Sequence, residues 1–149
     1  MAVNYKNGLY NVGSYQVSGY PFITGSEVLS GGPDTGEVKV EFPTVTKNVT
    51  VINTGSQALR VYFCAQQAAN SYRTPGNTGS YPTGAPITGF HFVTLPNLQD
   101  SVSFDVKCRE IFVASADAGG TNGGFECFAV LTGIDKEQMF MFTGSGFTD

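Results

Sequence analysis

Apolar and polar residues alternate with a period of two through much of this chain. In EVKVEF (residues 37–42), Val38, Val40 and Phe42 fall on one face and Glu37, Lys39 and Glu41 on the other. SVSFDVK (101–107) repeats the device, with Val102, Phe104 and Val106 on the inward side. Successive side chains of a β-strand point to opposite faces, so the pattern predicts strands with one buried side. ALRVYFC (58–64) and FECFAVLT (125–132) are apolar at both parities. That is the pattern of strands covered on both faces, by a second sheet or by a neighbouring molecule. SYQVSGYPFIT (14–24), NVTVIN (48–53), GFHFVTL (89–95), REIFVASA (109–116) and MFMFTG (139–144) bring the strand candidates to nine.

Turn chemistry separates these runs: SGGPDTG, NTGSQ and DAGGTNGG combine glycine with Asn, Asp, Ser or Pro, and PNLQD brings Pro, Asn and Asp together. VINTG (51–55) followed by SQALRVYF also looks like the strand-and-turn phrase of immunoglobulin-like modules, and is read as a β-hairpin. No segment carries a helical period with caps, although GIDKEQM (133–139) has the composition for one short turn. Many short strands joined by glycine-rich turns predict an all-β fold, an antiparallel β-sandwich of jelly-roll or immunoglobulin-like type. At 149 residues the chain reads as a single domain, 1–149, able to bury a core without disulfide or metal. An extended N-terminal segment of about residues 1–14 is expected to precede it. One stretch breaks the rhythm. Residues 65–89, AQQAANSYRTPGNTGSYPTGAPITG, are too long for a hairpin and too poor in aliphatic side chains for core. A loop of that length in a compact domain is either a surface connection or functional. Its Tyr72, Arg73 and Tyr81 are residue types enriched at protein interfaces.

Composition narrows the function. Charged residues make up 13% of the chain, about half the usual share, so the polar surface is mostly Thr, Ser, Asn, Gln and Gly. Such a surface suits packing against protein better than steering a charged ligand. The net charge is −4 and the eight basic residues are scattered singly. Binding nucleic acid requires clustered Lys and Arg, so no nucleic-acid partner is expected. No stretch reaches the length of a membrane span, and the N-terminus has no signal-peptide run, so no membrane association is expected either. Cys64, Cys108 and Cys127 are odd in number and lack C-x-x-C spacing. They read as buried free thiols, with one disulfide and one odd thiol as the other arrangement.

Acid–base or nucleophilic catalysis needs convergent ionisable groups. The chain has one histidine, His91, set between Phe90 and Phe92, where alternation places it on the opposite face from both rings. DAGGTNGG (117–124) resembles an ion loop only in composition, since it lacks alternating carboxylates and a Lys. Its glycines suit the tip of a hairpin. The residues therefore predict no enzyme, no catalytic or metal-binding set and no cofactor. A shallow sugar platform of Tyr72, Tyr81, Asn70 and Asn77 is the alternative use of the long loop.

The two ends carry a resemblance. LYNVGSYQVSGYPFITGS (9–26) and FAVLTGIDKEQMFMFTGSGFTD (128–149) resemble the ends of small all-β virion structural proteins of tailed phages, particularly those of marine and cyanobacterial hosts. FITGS (22–26) is echoed by MFTGS (141–145). The resemblance spans about a third of the chain and implies capsid decoration, or cement, as the role. It implies the major capsid protein or other virion proteins as partners, and a homo-oligomer, with a trimer suiting the threefold positions of a shell. The location implied is the capsid exterior, after assembly in the host cytoplasm. Neck, tail or fibre components that recognise host-surface glycans are the alternative within the same resemblance. Extended ends can add a strand to a neighbour's sheet. The interface residues expected are therefore Tyr20, Phe22, Phe142 and Phe147 at the ends, with Tyr72, Arg73 and Tyr81 in the loop.

Overall fold

The computed structural model describes residues 7–29, 37–63, 92–116 and 123–140. They form one short helix, α1 (Gly13–Gln16), and eight strands. The strands are β1 (Tyr20–Leu29), β2 (Val38–Glu41), β3 (Thr44–Asn53), β4 (Leu59–Tyr62), β5 (Val93–Leu95), β6 (Ser101–Phe104), β7 (Glu110–Ser115) and β8 (Gly123–Asp135). A single 3-10 turn follows at Lys136–Gln138, where the GIDKEQM segment predicts one. The all-β expectation holds, and eight of the nine strand candidates contain a strand. The ninth, MFMFTG, lies mostly outside the described residues.

Two four-stranded antiparallel sheets face each other: sheet A in the order β1-β8-β3-β6 and sheet B in the order β2-β7-β4-β5. Pairing is nested, β1 with β8, β2 with β7, β3 with β6 and β4 with β5. The chain is thus a long two-stranded ribbon, doubled back between β4 and β5 and rolled so that successive pairs alternate between sheets. Eight strands in this order make a jelly roll rather than an immunoglobulin-like sandwich. Phe63 and Phe92, the described residues nearest the ribbon's doubling point, stand at one end of the sandwich. The loop between β6 and β7 lies there too, since Tyr62 pairs with Phe112 and Phe63 meets Phe104 edge-on, with ring centroids 5.1 Å apart.

The roll corrects two local readings. VINTG and DAGGTNGG do not close hairpins. β3 and β4 lie in different sheets, as do β7 and β8, so these phrases carry the chain from one sheet to the other. Asn53, fully buried, organises the first crossing. Its side-chain amide donates to the carbonyls of Gln57 at 2.9 Å and Leu95 at 3.0 Å, and its Oδ1 accepts from the Gly55 N–H at 2.9 Å. Its backbone N–H donates to the Asp100 carbonyl, and its own carbonyl accepts from the Gln99 N–H at 2.7 Å. Gln99 takes a left-handed φ of 70° to make that bond. One side chain thus satisfies three backbone groups in two segments that would otherwise be buried without partners.

The core lies between the sheets, where the inward parity of every strand meets. Val40 and Phe42 from β2 and its exit, Val49 and Val51 from β3, Ile111 and Val113 from β7, and Phe125 and Ala129 from β8 are all buried. Val102, Phe104 and Val106 pack against them, as the alternation predicts. At the end where β2 turns into β3, register shifts in β3 flank Thr46 on both sides. Its hydroxyl donates to the Val106 carbonyl at 2.8 Å and accepts the Cys108 N–H at 3.0 Å. The bulge thereby stitches sheet A to the approach to β7.

The expected extended N-terminus is also corrected over residues 7–16. These form a turn and α1, capping the same end through a second apolar cluster of Leu9, Val45, Ile134 and Met139 with Tyr15. The Lys107 ammonium donates to the Leu9 carbonyl at 3.1 Å and sits 4.5 Å above the Tyr15 ring. SYQ therefore winds where the alternation reads strand, because Ser14 and Tyr15 are drawn onto this cluster rather than into a ladder. No described helix is long and apolar enough to cross a membrane.

Candidate functional site

Of the seven predicted interface residues, Tyr72, Arg73, Tyr81, Phe142 and Phe147 lie outside the described residues, as do His91, Cys64 and the 65–89 segment. Tyr20 opens β1 and is 69% exposed. Phe22 turns inward instead, half-buried against the core, with its ring edge-on to Phe42 at a centroid distance of 5.3 Å. The two share a parity, yet only Phe22 packs against the core.

On the outward parity of sheet A two large apolar side chains meet solvent side by side. Ile23 pairs with Phe128 and Pro21 with Val130 across β1 and β8. Ile23 is 75% exposed and Phe128 41%. On β3 the next residues in these rows are Thr50 and Asn48, and on β6 Ser103. Here the face turns polar. The Asn48 amide donates to Asp105 Oδ1 at 2.7 Å and to Ser103 Oγ at 3.1 Å, while the Thr50 and Ser103 hydroxyls lie 2.9 Å apart. One face thus divides into an apolar half on β1 and β8 and a hydrogen-bonded polar half on β3 and β6.

The sequence reads FECFAVLT as covered on both sides. The inner side is covered by sheet B, whereas the outer side, Phe128 included, stands open. Phe22 and Ile23 are both apolar, so the local pattern of FIT does not choose which of them faces outward. The meeting of Ile23 with Phe128 depends on a pairing that no local pattern encodes.

A shallow trough of about 680 Å³ runs beside this apolar half, lined by Ile23, Thr24, Gly25, Ser26, Thr54, Phe125 and Glu126. Glu126 is its one carboxylate. Gly25 lies close against β8: a Cβ there would lie 2.6 Å from the Phe125 carbonyl oxygen. Any larger residue would push β1 off β8.

Sheet B presents a different outer face. Tyr62, Phe112 and Ala114 are buried there, with Phe92 packed against them and its ring edge-on to Tyr62. The Arg60 guanidinium lies 4.5 Å over the Phe92 ring. At the β2 margin, Lys39 bridges Glu41 and the buried Glu110, each at 3.2 Å, and Lys136 pairs with Glu41. These two ammonium groups hold the Glu41 carboxyl at about 2, the Lys136 hydrogen bond contributing most.

Among the described residues, no three of His, Cys, Asp or Glu cluster to hold a metal ion. Cys108 and Cys127 are buried free thiols. Burial pushes Cys108 up to about 11 and Cys127 up to about 12, so both are protonated, poor nucleophiles at neutral pH. No family model, curated protein or solved structure matches the chain.

Proposed function

We propose that this chain is a non-enzymatic virion structural protein, a capsid decoration or cement protein seated on the outside of a phage head. The observation that carries the reading is the open apolar half of the outer face of sheet A, where Ile23 and Phe128 stand side by side in solvent. Adjacent large apolar side chains on a folded surface mark a place where another protein sits. A jelly roll is also a scaffold that capsid proteins use, although a fold by itself does not assign a role. The major capsid protein, or another virion protein, is the partner this surface would take. The neighbouring polar rows of Asn48, Thr50, Ser103 and Asp105 would supply the hydrogen-bonding rim of the contact.

The test is to purify intact particles, separate heads from tails and locate the protein by mass spectrometry. Recovery with heads, and loss of head binding in Phe128→Asp at unchanged melting temperature, is the expected result. Recovery with tails, together with glycan binding on an array, would favour the fibre-associated alternative. Absence from particles would reject both.

A further inference from the structure

We infer that β1 is the self-association edge of this protein: two copies pair their β1 strands antiparallel about a twofold axis, fusing two four-stranded sheets into one of eight strands. The argument begins with the four sheet edges among the described residues. β2 has four residues, β5 three and β6 four, whereas β1 has ten. β2 also carries Lys39 and Glu41 on its exposed positions. Short length and charge are the usual means of keeping an edge from pairing with another chain. Residues 20–26 of β1, Tyr-Pro-Phe-Ile-Thr-Gly-Ser, have no charge, and the strand is long enough to template a partner.

The hydrogen-bond parity shows which backbone groups the edge offers. Asn53 exchanges both its backbone bonds with Gln99 and Asp100 on the β6 side, while the Thr54 N–H donates to Gly124 on the β8 side. Odd residues of β3 therefore face β6 and even ones face β8. Even residues of β8 in turn face β3, and its odd ones face β1. Because Thr24 pairs with Cys127, even residues of β1 face β8. The N–H and C=O of Ile23 and Gly25, and the carbonyl of Pro21, point to the open edge. Pro21 fits this assignment, since a proline on an edge strand loses no ladder bond when its nitrogen faces outward.

These groups are self-complementary in one register. With Thr24 on the twofold axis, Ile23 lies opposite Gly25 of the second copy, and the two pairs exchange four hydrogen bonds in all. An axis through Ile23 would instead set Pro21 against Gly25 and leave the glycine carbonyl without a donor. In the favoured register each Ile23 side chain lies beside a glycine of the second copy, where no side chain obstructs it, and stays against its own Phe128. The charge on this half of the face does not oppose the pairing. The two Glu126 carboxylates are three strand spacings apart, about 14 Å, beyond the screening length of roughly 8 Å at physiological salt. An isologous pairing of this kind closes as a dimer. It sets aside the trimer that the phage resemblance implies.

Sedimentation velocity of the isolated protein at micromolar concentration, with amide exchange read at Ile23 and Gly25, tests the inference. The expected mass is twice that of the chain, and exchange at both amides slows by about tenfold or more as concentration rises through the association range. Ile23→Lys should return the mass to a single chain with the melting temperature unchanged, since Ile23 is 75% exposed. Val12→Lys, at an exposed apolar residue remote from the edge, should leave the dimer intact. A monomer, a trimer, a dimer that survives Ile23→Lys, or concentration-independent exchange at both amides would each overturn it. If Ile23→Lys does not fold, the exchange measurement on the unaltered protein decides alone. Failure here leaves the virion reading standing, because particle fractionation tests that separately.

Discussion

Phe112 and Phe128 hold equivalent places, each on an inner strand and on the outward parity of its own sheet, yet Phe112 is 6% exposed and Phe128 41%. The difference lies in their neighbours. Phe112 packs with Tyr62, Ala114 and Phe92 into a cluster of its own on sheet B. Phe128 has Ile23 on one side and Thr50 on the other, and among the described residues nothing encloses the three. On sheet B the outer residues of the inner strands, Tyr62, Phe112 and Ala114, are buried, so they already contribute to the stability of a single chain. Sheet A holds comparable residues against water, where their burial is left to a partner. A buried ring contributes through the area it loses to solvent and through the contacts that surround it.

Truncating each ring separates the two situations most sharply. Phe112→Ala should lose about 3–4 kcal/mol, the range for a buried aromatic, with a fall in melting temperature on the order of 10 °C. Phe128→Ala should lose about 1 kcal/mol or less in isolated protein and act mainly on association. Thermal and denaturant unfolding of the two variants side by side provide the check. Equal losses would mean that the outer face of sheet A is as much core as that of sheet B, and would remove the basis for a docking surface there.

The next largest effect concerns what joins the sheets. Asn53→Ala removes three side-chain hydrogen bonds and leaves the Leu95 and Gln57 carbonyls without that donor. A loss of about 3 kcal/mol is expected, from buried polar groups left unsatisfied. Amide exchange at Gly55 and Gln99 should quicken more than exchange within β8. A loss confined to a few tenths of a kcal/mol would show that the crossing holds without this side chain.

Asn53 also marks the limit of what the sequence discloses. Alternation located β2 and β6 together with their inward sides, because period-two burial is local. NTGSQ and PNLQD correctly marked where strands stop, since turn chemistry is local as well. Where each strand went next was not legible. NTGSQ looks the same whether it closes a hairpin or crosses a sandwich, and only the long-range match of β3 with β8 decides. Phe22 and Ile23 are adjacent and both apolar, and the pairing of β1 with β8 alone sets which is core and which is surface. The interface residues expected at Tyr72, Arg73, Tyr81, Phe142 and Phe147 lie outside the described residues. The surface built by Ile23 and Phe128 became visible only once the strands were paired.

The layer between the sheets sharpens the contrast between closed and open surfaces through its two thiols. Cys108 and Cys127 are raised to about 11 and about 12, chiefly by burial, from an ordinary value of 9.0. A thiol raised in the folded state contributes stability that is whole below the unfolded value and lost as pH rises through the folded one. Stability should therefore decline between about pH 9 and pH 12, and both thiols should resist iodoacetamide at pH 8 until the chain is unfolded. Reductant and chelator should each leave the melting temperature unchanged. Rapid labelling of either cysteine in folded protein would show that the inner layer is looser than its packing implies.

The smallest effect compares the guarded edge with the open one. β2 ends sheet B with Glu41 held between Lys136 and Lys39, and its carboxyl is lowered from 4.5 to about 2. A lowered carboxylate contributes stability present above its unfolded value and lost as pH falls through the folded one. The melting temperature should thus fall between pH 4.5 and pH 2 in low salt, and Glu41→Gln should fall less over the same window. At neutral pH the variant should differ little, because exposed ion pairs are weak and screened. The consequence for association should be larger than the consequence for stability. If charge is what keeps β2 from pairing, the double variant Lys39→Thr with Glu41→Thr should gain higher oligomers at concentrations where the unaltered protein remains a β1-paired dimer. No change in mass for that variant would mean that its four-residue length, rather than its charge, closes the β2 edge. The ten-residue span of β1 would then be the feature that sets it apart.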